Sequence, residues 1–221
     1  MTTTYTSSET SLRILDAALE LFRREGFEET TMRAIAAKAE VATGAAYYYF
    51  PSKEAIVMAF YRRSCDEMQP VIRESLQKVS GLENLLYELI LAKIKSFKPN
   101  RGVLRALLKN GADPEQPVSP FSSETKEIRE IDIAWFQQIL DDSGVRIPKD
   151  LQPHMPEILW LFQMGIIFFW VTDDSSGQAR TQRLLKLAVR IVARLVRLSG
   201  LPFMRPVRKT VVELVEIVKG G

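Results

Sequence analysis

Apolar residues recur at three- and four-residue intervals along almost the whole chain, and no stretch alternates strictly enough to read as a strand. The pattern predicts an all-α protein of about ten helices. Ile14, Ala17, Ala18, Leu21 and Phe22 share one face of a first helix over about 9–25, which Gly26 ends with Phe27 as the apolar residue beyond the cap. Met32, Ile35, Ala36 and Ala39 give a short second helix with Thr31 as N-cap. A third follows at Thr43–Phe50, and a fourth starts at Ser52 and continues to about Met68. Further on, the spacing predicts helices at 71–78, 82–97, 102–110, 123–142, 150–171, 178–198 and 206–219. Gly81, Pro99, Gly111 with Pro114, Gly144, Gly177, and Gly200 with Pro202 mark the breaks. Residues 110–122, with Pro114, Pro117 and Pro120, read as a loop, either a connector or the edge of a ligand site.

The second and third helices, joined by Glu40-Val41-Ala42 and closed by Pro51, read as a helix-turn-helix. The expected core of this small three-helix domain, residues 1–55, is Phe22, Phe27, Ile35, Val41 and Phe50. Thr43, Gly44 and Ala45 form a small leading edge on the third helix, so its backbone can lie against base edges. Tyr47, Tyr48 and Tyr49 follow with phenolic hydroxyls that reach phosphates or bases. Only one face of the helix can meet DNA, which leaves at least one tyrosine for packing. Lys53 stands at the start of the fourth helix, where an ammonium beside an N-terminal N–H cluster would clamp a phosphate. Arg33 is the best cation on the first motif helix for a base or phosphate contact, close to Thr31.

These residues closely resemble the DNA-binding domain of the tetracycline-repressor (TetR) family of bacterial transcription regulators. Phe22, Gly26, Phe27, Thr30 and Thr31 meet the family pattern at the end of its first helix, and Tyr47, Phe50 and Lys53 meet the pattern that closes the motif. The resemblance covers about residues 10–60 and implies operator DNA as partner, with Arg33 at a position that often reaches DNA and Tyr47 at a phosphate-contacting one. Glu40 stands where the family usually has a turn glycine and Ala42 where it often has a capping Ser or Thr. If the turn needs a positive φ, Glu40 costs up to about 1 kcal/mol relative to Gly, and the capping falls to Thr43.

Composition narrows the alternatives. At 221 residues, 46% hydrophobic and 26% charged, the chain can bury a real core. One Cys and one His exclude a disulfide framework and a Cys/His zinc site within one chain, so no metal is expected. Cys65 reads as a reduced thiol in a cytoplasmic protein, and His154, between Pro153 and Pro156, as a loop or first-turn residue. The first eleven residues lack both regions of a signal peptide and read as a short arm. The longest apolar run, Ile158–Val171, is shorter than the roughly 20 residues a membrane span needs and is interrupted by Gln163 and Gly165, so it reads as a buried helix. No phosphate loop and no nucleophile with base and orienting acid is evident, so an enzyme and a cofactor are not expected.

Net charge is +3, yet residues 1–53 hold six Lys/Arg against seven Asp/Glu, so cations must be concentrated on the DNA face. Residues 178–221 hold ten Lys/Arg against Glu213 and Glu216 only. Arg183, Lys186, Arg190, Arg194 and Arg197 make one basic stripe, which reads first as a solvated helix face, the alternative being an auxiliary DNA or membrane contact.

The larger helical domain, 56–221, is expected to bind an effector and to dimerise. The 150–171 helix is apolar nearly all round. The 178–198 helix carries two adjacent stripes, Leu184/Ala188/Ile191/Leu195 and Leu185/Val189/Val192/Val196, more than one core contact requires. The family resemblance implies that such a pair forms a four-helix dimer interface, and the further C-terminal helix could cap the bundle or extend the interface. Candidate ligand-pocket residues are Phe97, Leu104, Leu108, Trp135, Phe136, Ile139, Trp160 and Met164. The resulting expectation is a homodimeric regulator, a repressor of a palindromic operator, released by a small and largely apolar ligand. The alternative is a structural DNA-binding dimer without an effector.

Overall fold

A computed structural model describes residues 7–108 and 113–219. Among them are ten α-helices and no strand: α1 (Ser7–Glu25), α2 (Met32–Lys38), α3 (Thr43–Tyr49), α4 (Lys53–Gln77), α5 (Leu82–Phe97), α6 (Arg101–Leu107), α7 (Lys126–Ser143), α8 (Met155–Thr172), α9 (Ala179–Leu198) and α10 (Arg205–Lys219). Residues 1–6 of the expected arm, the helix end expected at Asn110 with the break at Gly111, and the side chain of Val218 lie outside the described residues.

Three boundaries differ from the sequence expectation, each for a backbone reason. The break expected between Met68 and Val71 is absent, because α4 runs through Pro70 as one helix of 25 residues. Proline fixes φ near a helical value, and the hydrogen bond it withholds is offset by Met68, Ile72 and Leu76, all buried. α8 begins at Met155 instead of Asp150, with Pro156 in its first turn, where a missing N–H costs nothing. α7 begins at Lys126 instead of Ser123, because Ser122 and Thr125 bond back into the preceding loop.

Packing divides the chain into two compact units. One unit holds residues up to Glu67 together with Phe97–Arg129, and the other holds Met68–Ser96 together with the chain from Glu130. In the first unit α1 packs on α2 and α6, and α2 packs on α3. Ile14, Ala18, Phe22, Ile35, Ala46 and Phe60 are fully buried there, and Phe22 meets Phe27 edge to face at 5.1 Å between ring centroids. Phe27 and Phe50 join this core as expected, whereas Val41 is half-exposed. The described part of the proline-rich loop is a knot of hydrogen bonds. Ser122 Oγ donates to the Pro117 carbonyl at 2.9 Å and Thr125 Oγ1 to the Ser119 carbonyl at 2.8 Å. Arg129 donates to the Pro120 and Ser122 carbonyls, and Tyr61 Oη, whose pKa is raised by burial, donates to Val118.

The second unit buries Leu86, Leu89, Phe136, Ile139, Leu159, Trp170, Leu185, Val189 and Ala193. α8 is long and apolar enough to cross a membrane by length and composition, but ten of its residues are buried in this unit, including the polar Gln163. Asp173 precedes α9 and accepts from Thr181 N at 2.8 Å, Thr181 Oγ1 at 2.7 Å and Ser175 N at 3.1 Å. Those hydrogen bonds, led by the one from the Thr181 hydroxyl, hold its carboxyl well below the usual carboxylate range.

Candidate nucleic-acid interface

The helix-turn-helix is built from local rules. Thr31 caps α2, its Oγ1 accepting from Ala34 N at 3.1 Å. α2 ends with Glu40 N donating to the Ala37 carbonyl and Val41 N to the Ala36 carbonyl, a Schellman closure with Glu40 at φ +54°. The turn therefore does demand the left-handed conformation, at the cost foreseen for a residue with a Cβ. Arg13 from α1 donates to the Ala39 carbonyl and lies 3.8 Å from the Glu40 carboxylate, which anchors this turn. Thr43 does not cap α3. The N-cap is Ala42, which has no side-chain acceptor, and Thr43 is already the first helical residue.

On α3, Ala46 and the following Phe50 face the core, so Thr43, Gly44, Tyr47 and Tyr48 all face solvent. Tyr47 is 51% exposed and Tyr48 83%. Ala45 and Tyr49 flank this face half-buried, and the Tyr48 and Tyr49 rings meet edge to face at 5.3 Å. A Cβ added at Gly44 would meet nothing within 4 Å, so nothing within the fold requires glycine there. Thr31, the N-cap of α2, and Arg33 on α2 are exposed as well, and Arg33 has no ion-pair partner among the described residues. That absence matters because other cations of the motif are occupied, Arg13 with Glu40 and Lys38 with Glu20 at 2.7 Å.

Lys53 has protein partners that the sequence reading did not foresee. Its Nζ donates to the carbonyls of Phe27 at 2.9 Å and Glu28 at 3.1 Å, lies 3.9 Å from the Glu28 carboxylate, and sits 4.3 Å over the Phe27 ring. The ammonium thus ties the start of α4 to the turn between α1 and α2. The same turn borders a cavity of about 160 Å³ within the first unit, lined by Glu25, Phe27, Glu28, Leu107, Gln116 and Val118.

The residues expected to line a ligand pocket fall in both units. Phe97, Leu104 and Leu108 belong to the first. Trp135, Phe136, Ile139, Trp160 and Met164 belong to the second and are buried there. The second unit also holds a polar cluster outside those candidates. Lys93, 2% exposed, donates to Asp132 and, at 2.6 Å, to Gln163 Oε1, while Gln163 Nε2 donates to Asp132 Oδ2 at 2.7 Å. The ammonium also lies 4.8 Å from the Phe136 ring centroid. The signal was present in the sequence, since Lys93 continues the buried Leu86, Leu89 and Ile90 face of α5 and Gln163 interrupts the apolar run of α8. His154 is the N-cap of α8, and its Nδ1 is buried without a hydrogen-bond partner among the described residues.

Comparison with known proteins agrees with this architecture. Residues 14–60 match the model of bacterial regulatory proteins of the tetR family, and residues 86–216 match the tetracyclin repressor-like C-terminal domain. The HTH-type transcriptional repressor KstR of Mycobacterium tuberculosis is 25% identical over 186 residues, covering 81% of this chain and 79% of its own length. A TetR-family regulator of Syntrophomonas wolfei shares the fold with a TM-score of 0.68 at 20% identity, over 86% of this chain and 97% of its own. GusR of Salmonella enterica does so at 0.64 and 22%, over 89% of this chain and 100% of its own. With the exposed α3 face, these matches make the molecule a DNA-binding regulator and not an enzyme. The chain belongs to the tetracycline-repressor family of bacterial transcriptional regulators.

Proposed function

We propose that the protein is a homodimeric cytoplasmic repressor whose two α3 helices enter successive major grooves of a palindromic operator and which a small, largely apolar ligand releases. In this reading residues 1–55 read DNA and residues 56–221 dimerise and bind the effector. The observation that carries DNA reading is the solvent face of α3, where Thr43, Gly44, Tyr47 and Tyr48 stand together on a helix otherwise anchored by Ala46 and Phe50. Small residues leading and phenols behind suit a backbone laid against base edges with hydroxyls on phosphates. Repression is supported by KstR, itself a transcriptional repressor. Dimerisation is supported by α9, where Leu187, Ile191, Leu195 and Leu198 are all exposed at helical spacing. Effector binding is supported by the aromatic interior of the second unit, and α4, whose residues divide between the units at Glu67 and Met68, is the element through which an occupant would act on the motif.

The experiment is operator binding by fluorescence anisotropy across a salt series, repeated with ligands found by thermal shift. Each effector is expected to weaken operator binding about 5- to 150-fold. Ligands that stabilise the protein yet leave operator affinity unchanged would replace this reading with an effector-independent DNA binder. Lys53→Ala serves as a probe of the motif's orientation. A phosphate contact predicts a salt slope smaller by about 1 per subunit, whereas a purely internal tie predicts a lower melting temperature with the slope intact.

A further inference from the structure

The cavity beside the α1–α2 turn, inside the first unit, has a use that DNA reading does not supply. Its walls are held on two sides. α6 is already seated at close approach on α1, since a Cβ added at Gly102 would come within 2.8 Å of Arg23 Cγ. Opposite, the loop carrying Val118 is fixed by the bond from Tyr61 Oη to the Val118 carbonyl at 3.1 Å and by that from Thr125 Oγ1 to the Ser119 carbonyl. Neither wall is free to close on the other, and about 160 Å³ remains between them. That is about the volume that holds one benzene ring.

The lining divides by chemistry. Phe27, Leu107 and Val118, all buried, give an apolar wall, and Glu25, Glu28 and Glu29 bring exposed carboxylates to it, with no lysine or arginine among the lining residues. Cations nearby leave one of these charges unbalanced. Arg24 pairs with Glu25 at 2.5 Å, Lys53 stands 3.9 Å from Glu28 while donating to two carbonyls, and Arg101 and Arg105 of α6 already have partners. Glu29 has no ion-pair partner among the described residues. An anion would be repelled here, and a metal ion is not suited, because no three carboxylates among the described residues converge as ligands.

We propose that this cavity binds a small organic monocation, an ammonium carried on about one ring of hydrocarbon, with its apolar body on Phe27, Leu107 and Val118 and its N–H donors towards Glu28 and Glu29. The site is separate from the aromatic interior of the second unit and does not depend on the effector reading. Its occupant touches the same turn that Lys53 ties to α4.

The test uses benzylammonium as probe, with benzyl alcohol and benzoate as neutral and anionic matches in shape. Each is titrated into the full-length protein and followed by NMR at the backbone amides of Gly26, Phe27, Glu28, Glu29, Ala106 and Leu107. Benzylammonium should shift these signals saturably with a dissociation constant on the order of 1 mM, benzyl alcohol should bind about threefold more weakly, and benzoate should not bind. Two charge variants should move the affinity in opposite directions. Glu29→Gln removes the unbalanced carboxylate and weakens benzylammonium about threefold, while Arg24→Gln frees Glu25 and tightens it by about as much. Ala106→Phe, which fills the half-buried edge of the cavity, should abolish the shifts, and the remaining amide signals report whether that variant folds. Equal binding of the three probes, or charge variants that change nothing, would overturn the cation assignment. No shifts at these amides, or shifts confined to the second unit, would overturn the site itself. None of these outcomes bears on operator affinity, which tests the repressor reading separately.

Discussion

α3 and α9 both hold large side chains in solvent, and they do so in opposite chemical idioms. α3 is a seven-residue helix whose exposed groups are a hydroxyl, a bare Cα and two phenols. α9 is a twenty-residue helix whose exposed apolar groups are pure hydrocarbon, Leu187, Ile191, Leu195 and Leu198, bordered by guanidinium groups. Phenols keep a polar end for a hydrated, hydrogen-bonding surface such as a phosphate backbone, while leucines gain only when water leaves both sides. The comparison teaches that exposure alone does not identify a partner, whereas the polar content of the exposed groups does.

The sharpest way to break this comparison is to place charge in the α9 seam. I191E/L195E should leave the fold intact, give a monomer near 25.1 kDa by light scattering, and lower operator affinity by at least about a hundredfold, because two linked half-site contacts become one. A monomer that binds operator as the wild type would show that α3 acts without α9. Next in size is the interior of the second unit. Lys93→Met removes one partner of a buried pair and leaves Asp132 and Gln163 facing an apolar chain, so unfolding free energy should fall by about 3 kcal/mol in urea denaturation. Replacing Lys93 and Asp132 together with Met and Leu should recover most of that loss, which separates the pair's own worth from the penalty of orphaning one charge.

A smaller effect sharpens the reading of α3. Gly44→Ala should raise the melting temperature slightly, since at this first-turn position Ala is favoured over Gly by at most about 1 kcal/mol and a Cβ there meets nothing. It should weaken operator binding all the same, because the added methyl holds the backbone off the base edges. Unchanged affinity would move the base-reading edge elsewhere on α3. The mildest perturbation concerns the entry to α9. Asp173 has a depressed folded pKa, so its contribution to stability is fully present above the unfolded value of about 3.9 and is lost as pH falls through the folded one. Asp173→Asn should flatten the acid limb of melting temperature against pH below about 4, and an unaltered limb would show that this carboxylate carries no linkage.

What could be read in the chain and what could not divides by distance along it. The N-cap of Thr31, the apolar faces of α1 and α2, and the small-then-aromatic face of α3 depend on neighbours within one or two turns, and each of these stands where its spacing placed it. Val41 was expected in the core and is half-exposed, because the closure at Glu40 determines where the residue after it points. The tie from Lys53 to the Phe27 and Glu28 carbonyls spans more than twenty residues, and no local pattern distinguishes such a lysine from one waiting for a phosphate. The Ser122–Thr125 knot was equally hidden, since hydroxyls between prolines read as solvated until the chain folds over them. Pro70 misled in the other direction. Its local preference ends a helix, and packing on both sides of it carried the helix through.

That proline has a mechanical consequence. A helix is a beam whose bending stiffness comes from the ladder of bonds along its length, and Pro70 removes one rung from α4. A notched beam does not flex evenly; it concentrates curvature at the notch. If α4 carries an effector's load as proposed, that load would reach Lys53 as rotation about a point near residues 66 to 70, an angle rather than a force.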